Sequence, residues 1–176
     1  MNFFDRFFGH LSTIINHRRE VRKILFKMGL YWQGIVHDLS KFSFVEFSNG
    51  VKYFTGDKSP HYREREDKGY SEAWLNHKNN KHHAEHWQDI RSDGKTHPIE
   101  IPTKYLAEMF ADRIAASKTY LKENYFSGAP LEYYMSHKYE NSYHESSRKK
   151  LEKWLTSLAL KGEEEVLEEI KKELCR

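Results

Sequence analysis

The stretch "GIVHDLSKFS", residues 34–43, sets a His beside an Asp at the end of an apolar run, with Lys41 three residues further on. His37 and Asp38 are either half of a metal site or a buried polar pair at a helix end. The chain around them decides. Helix signals recur on both sides, and no segment alternates apolar and polar residues for long enough to read as a strand. Upstream, Ile14, Val21, Ile24, Leu25 and Met28 have helical spacing within 3–28, Gly29 punctuates, and a short helix follows over about 30–38. Downstream, Ser43 and Glu46 have capping-box spacing and open a helix to about 55. Residues 55–69 read as a polar loop around Pro60, and Ser71 caps a helix carrying Trp74 and Leu75. Residues 91–98 read as a second loop, and Pro102 suits the first turn of a long helix to about 124. "SGAP" breaks that helix, Pro130 starts another, and two more cover about 144–160 and 163–175. The last is acidic early and basic late, as the helix dipole prefers. The expectation is an all-α single domain over residues 1–176, a bundle of about seven to nine helices.

Composition narrows the function. A length of 176 residues favours one domain. With 38% hydrophobic residues and no run of eighteen apolar ones, no membrane partner is expected. The N-terminal stretch "MNFFDRFFGHLSTIINHRREVRK" is amphipathic and interrupted by Asp5 and Arg6, so it does not read as a signal peptide. Its Phe3, Phe4, Phe7 and Phe8 read either as core or as the surface of a homodimer. The one cysteine, Cys175, excludes a disulfide within the chain and any CxxC site, which fits a reducing, cytoplasmic setting. A formal charge of +3 without a dense basic tract points away from nucleic acid. The unusual number is eleven His, four of them within residues 77–86. Imidazole is the commonest metal ligand.

Three features join His37-Asp38. His17 stands three residues after Ile14 and four before Val21, on the apolar face of its helix. A buried His there needs a partner, whether a carbonyl or a metal. Asp112 shares a helical stripe with Tyr105, Met109 and Ala116. An inward Asp costs several kcal/mol unless it is paired or bound to metal. The third feature is "WLNHKNNKHHAEHW", residues 74–87, with His77, His82, His83 and His86. On one continuous helix His77 and His82 point about 140° apart. They converge only if the helix ends near Asn79-Asn80. Nitrogen and oxygen ligands of this kind suit Zn, Mn, Fe, Co or Ni.

The order His17, His37-Asp38, a His cluster, then Asp112 resembles the HD-domain superfamily of metal-dependent phosphohydrolases. "HDLSK" is similar to the HDxxK box of its binuclear members. The "HDLSKF" and "HH" boxes also look like those of a bacterial and phage family without an assigned function. The resemblance covers residues 17–118 and implies an HD-like core over about 10–125, with the helices of about 129–176 packed on it. It implies one or two divalent transition-metal ions held by His17, His37, Asp38, Asp112 and by His77, His82 and His83. Asp38 bridges them in that scheme, Lys41 meets the substrate phosphate, and the substrate is a nucleotide or small phosphorylated metabolite. The Gly-Tyr-Pro box of one well-known branch is absent, with "AEHW" in its place.

Two other classes compete. "HHAEH", residues 82–86, formally matches the H-x-x-E-H box of inverted zinc peptidases, with His82 and His86 as ligands and Glu85 as base. Those enzymes use longer, mixed α/β scaffolds. A non-catalytic module on an HD-like fold that binds a metal or a nucleotide is the other.

Overall fold

Two helices carry much of the apolar surface, and their contact sets the rest of the arrangement. α1 (Phe3–Lys27) buries Ile14, Val21, Ile24 and Leu25 on one stripe, and His10 and His17 are buried with them. A capping box fixes its start: the Asp5 amide donates to Asn2 Oδ1 at 2.8 Å and the Asn2 amide to Asp5 Oδ2 at 3.2 Å. Gly29, with φ of 81°, turns the chain away after its last turn. α6 (Thr103–Leu121) is buried without interruption from Leu106 to Ala111 and again at Ile114 and Ala115. Helices therefore cover it on most sides.

α1 lies along α6. α7 (Ala129–Ser136), α8 (Glu145–Lys161) and α9 (Glu163–Leu174) also pack on α6, and α9 reaches α1. Leu151, Trp154, Leu155 and Leu158 of α8 meet Val166, Leu167 and Ile170 of α9 in one core with α1 and α6. Phe110 and Trp154 form an edge-to-face pair at 6.0 Å. The computed structural model describes residues 1–137 and 143–175. Among these it is all-α, with nine α-helices and a single two-stranded hairpin. No helix among them is long and apolar enough to cross a membrane.

The rest of the chain covers the polar end of the α1–α6 seam. α2 (Tyr31–Val36) and α3 (Phe44–Tyr53) pack on α1, and α4 (Pro60–Lys68) and α5 (Glu72–His77) pack on α3. The hairpin β1 (Gln88–Ile90) and β2 (Thr96–Pro98) is antiparallel, pairing Asp89 with His97.

Several expectations are corrected. The polar stretch 55–69 is not a loop throughout, because Pro60–Lys68 is helix. Pro60 stands in its first turn and Gly69, with φ of 78°, closes it, a pairing of stop and start signals that holds even without an apolar face. What anchors it is Glu64, whose carboxylate accepts from Ser71 Oγ at 2.6 Å and from the Glu72 amide at 3.1 Å. The loop assigned to 91–98 contributes β2. α2 stops at Val36, so His37 and Asp38 lie beyond the helix rather than in it. Ser43 caps α3 by accepting from the Glu46 amide at 3.3 Å, yet the Glu46 side chain turns elsewhere. Phe3, Phe4 and Phe8 are exposed and not core, whereas Phe7 packs on Phe47.

Candidate metal centre

His37 and Asp38 are aimed by the backbone. After α2 the chain takes a left-handed turn at Asp38, φ 55° and ψ 25°. This region is costly for most side chains and tolerated best by Gly, Asn and Asp. Arg18 of α1 holds the turn: its Nε donates to the His37 carbonyl at 2.8 Å and its Nη2 to the Ile35 carbonyl at 3.0 Å. Arg18→Ala is expected to loosen this turn, weakening metal binding about tenfold while the core remains folded. A metal titration beside a thermal melt checks this, and unchanged affinity excludes the role.

Four side chains then converge. His17 Nε2 lies 2.9 Å from Asp112 Oδ1 and 3.5 Å from Asp38 Oδ2. His37 Nε2 lies 3.5 Å from Asp38 Oδ2 and 3.6 Å from Asp112 Oδ1. With metal–ligand bonds of about 2.0–2.2 Å, neighbouring ligand atoms on one ion stand about 2.8–3.6 Å apart. These four distances fit that spacing, and all four atoms lie within 4.8 Å of one another.

A second group stands beside the first. α5 ends at His77, and the chain turns back through Asn80, whose amide donates to the His77 carbonyl at 3.0 Å. This turn lets His82 and His83 face His77, which one continuous helix forbids. His77 Nε2 and His82 Nε2 lie 3.5 and 3.3 Å from Asp38 Oδ1. The ring nitrogens of His77, His82 and His83 lie within 4.8 Å of one another. Asp38 thus offers Oδ2 to the first group and Oδ1 to the second.

The fit to a cation has an independent sign. Buried polar atoms nearly always have a hydrogen-bond partner. Here His37 Nε2, His82 Nε2, His83 Nε2 and both carboxylate oxygens of Asp38 are buried without one. His37 Nε2 and His82 Nε2 lie 3.5 and 3.3 Å from the Asp38 oxygens. Buried His, Asp and Glu groups in this cluster could hold a metal ion.

Two carboxylates behind the rings were not singled out from the sequence. Glu108 Oε1 lies 2.9 Å from His37 Nδ1 and 3.3 Å from His82 Nδ1. Glu46 Oε2 lies 3.0 Å from His77 Nδ1, and its Oε1 accepts from Asn76 Nδ2 at 2.6 Å. A carboxylate on Nδ1 keeps the proton there and leaves Nε2 as the ligand atom. Glu108 stands one helical turn before Asp112 and shares its face, a spacing visible in the sequence. Glu46 carried a capping signal that masked its second role. The third combination at ligand distance, His37, His82 and Glu108, is this backing layer.

Lys41 is closer to the centre than its expected place at a substrate. Its Nζ lies 3.2 Å from Asp38 Oδ2 and 3.1 Å from His77 Nε2. His86 does not join: it is exposed and its Nδ1 donates to the Asn79 carbonyl at 2.7 Å. Glu85 is exposed too, and the turn Ala84–His86 gives His82 and His86 no shared helical face. The peptidase box is therefore not assembled.

The electrostatics ask for positive charge. Burial alone would raise Asp38, but the charges of His37 and Lys41 hold it well below the usual carboxylate range. Burial would likewise raise Asp112, and hydrogen bonds to His17 and His37 keep it well below. Burial would lower both rings, yet Asp112 and Asp38 push His17 up to about 9, and Asp38, Asp112 and Glu108 push His37 up to about 9. Metal binding at neutral pH must displace those protons, so affinity rises with pH towards that value.

Residues 6–157 match the model of DUF5662, described as a family of unknown function. The chain belongs to this family. The matched span takes in every residue of the two groups, from His17 to Asp112. α9 lies outside that span. Comparison with curated proteins gave no match, and comparison with solved structures gave none.

Proposed function

We propose that this DUF5662 chain is a metal-dependent phosphohydrolase of the HD-domain type, acting on a nucleotide or a small phosphorylated metabolite. The observation that carries the reading is Asp38, a buried carboxylate beside the Lys41 ammonium, whose two oxygens face two separate groups of His ligands. A carboxylate placed this way is costly unless cations share it. The order and identity of the side chains match the HD pattern, and an all-α bundle is the scaffold that pattern implies.

Bound divalent metal would supply a hydroxide at neutral pH and a Lewis acid for phosphoryl oxygens. The chain's own residues do the rest. His17, His37, Asp38 and Asp112 hold one position, and His77, His82 and His83 with Asp38 hold the other. Glu108 fixes the tautomers of His37 and His82, and the Glu46 carboxylate lies beside His77 Nδ1. Asp112 and Lys41 each keep 22% of their side-chain surface exposed, so the cluster opens to solvent on their side. A phosphate entering there meets the Lys41 ammonium, which offsets the charge that builds on its oxygens.

The test joins metal analysis to activity. Protein loaded in turn with Mn, Fe, Co, Ni and Zn is expected to hydrolyse members of a panel of phosphomonoesters and phosphodiesters, and His37→Ala to remove both metal and hydrolysis. Metal-loaded protein that is inert across the panel sinks the enzymatic reading, and activity that survives His37→Ala sinks the site.

A further inference from the structure

The ring nitrogens of the cluster are not alike. His37 Nε2, His82 Nε2 and His83 Nε2 have no partner, whereas His77 Nε2 has Lys41 Nζ at 3.1 Å. The same ammonium lies 3.2 Å from Asp38 Oδ2. An ammonium can only donate, so His77 Nε2 is the acceptor and holds the ring's one lone pair, which one cation can use. A metal ion bonded to that nitrogen and an ammonium hydrogen-bonded to it exclude each other.

We infer that Lys41 is the built-in cation of the second position, so that a second metal ion binds there only when the ammonium moves away. This rests on the metal-site reading above. Lys41 has room to move: its stem is flexible and part of its side chain reaches solvent. Ammonium–phosphate hydrogen bonds are charge-assisted and strong, so a phosphate at the open side is the group that draws it off. The two positions are then unequal. The first, built from His17, His37, Asp38 and Asp112, shares Asp38 Oδ2 with the ammonium, but a carboxylate oxygen keeps a second lone pair, whereas His77 Nε2 has only one. The second is completed by the arrival of a phosphate. His83, with its unpartnered Nε2, takes part only in that completed state.

Equilibrium Mn²⁺ binding to the full chain separates the outcomes, measured by calorimetry with and without inorganic phosphate. Without phosphate, one ion binds tightly and a second at least about tenfold more weakly, the ammonium repelling it. Saturating phosphate tightens the second ion and leaves the first nearly unchanged. Lys41→Met brings the second ion close to the first and removes the phosphate effect. The wild-type arm stands alone should the variant fail to fold. Two ions of equal affinity without phosphate overturn the inference and leave the metal site intact. A folded Lys41→Met protein with an unchanged weak second position overturns it equally. Absence of bound Mn²⁺ in every arm removes the metal reading itself.

Discussion

Asp38→Asn is expected to lose both metal positions at once while the protein stays folded. Asn keeps the size of the side chain and also tolerates the left-handed backbone that residue 38 adopts, so the turn after α2 survives. What disappears is the negative charge facing His17 and His37 on one side and His77 and His82 on the other. Outer partners of metal ligands cost about 10–100-fold in affinity or activity when removed, and a shared ligand should exceed that range. Metal analysis of the purified variant, a thermal melt and the phosphoester panel together measure it. A folded Asp38→Asn protein that keeps its full metal content contradicts the bridging role. Asp38→Ala is a poorer probe, because Ala also strains the backbone, at about 1–3 kcal/mol.

Glu108→Ala is expected to weaken both positions, although Glu108 points at the back of two rings. Its Oε1 serves His37 Nδ1 in the first group and His82 Nδ1 in the second. Removing it frees both rings to rotate or change tautomer, and each position should lose about 10–100-fold in affinity. It also leaves two buried N–H groups without an acceptor, at about 1–3 kcal/mol each, so the metal-free protein should melt earlier. Glu46→Ala serves as the contrast: Glu46 reaches only His77 among the ligands, and its loss should touch the second position alone. Competition against a chromophoric chelator resolves the two affinities. A Glu108→Ala protein weakened at one position only would show that the shared oxygen does not couple the groups.

Much of this is legible in the sequence. α1, α6, α8 and α9 announce themselves because each buries a periodic apolar stripe, and periodicity survives in a linear string. His17 and Asp112 were legible for the same reason, as polar residues in apolar phase. The convergence of His77 with His82 depended on where α5 ends, and Asn79-Asn80 gave that hint. The backing carboxylates were harder. Glu108 and Glu46 look like ordinary helical glutamates, and nothing in a string says which imidazole nitrogen a carboxylate will face. α4 reads as a loop in the sequence because it is polar on every side. Its stability comes from tertiary contacts, chiefly those of Glu64, which periodicity cannot report.

That same helix lies against the second His group, with His61 stacked on His77 at 6.1 Å. Since α4 contributes so little to the core, most of its outward positions can change without penalty to folding. The outward positions of α4 are thus a place where the surroundings of the cluster can change one surface residue at a time, while His17 stays fixed on α1 and Asp112 on α6.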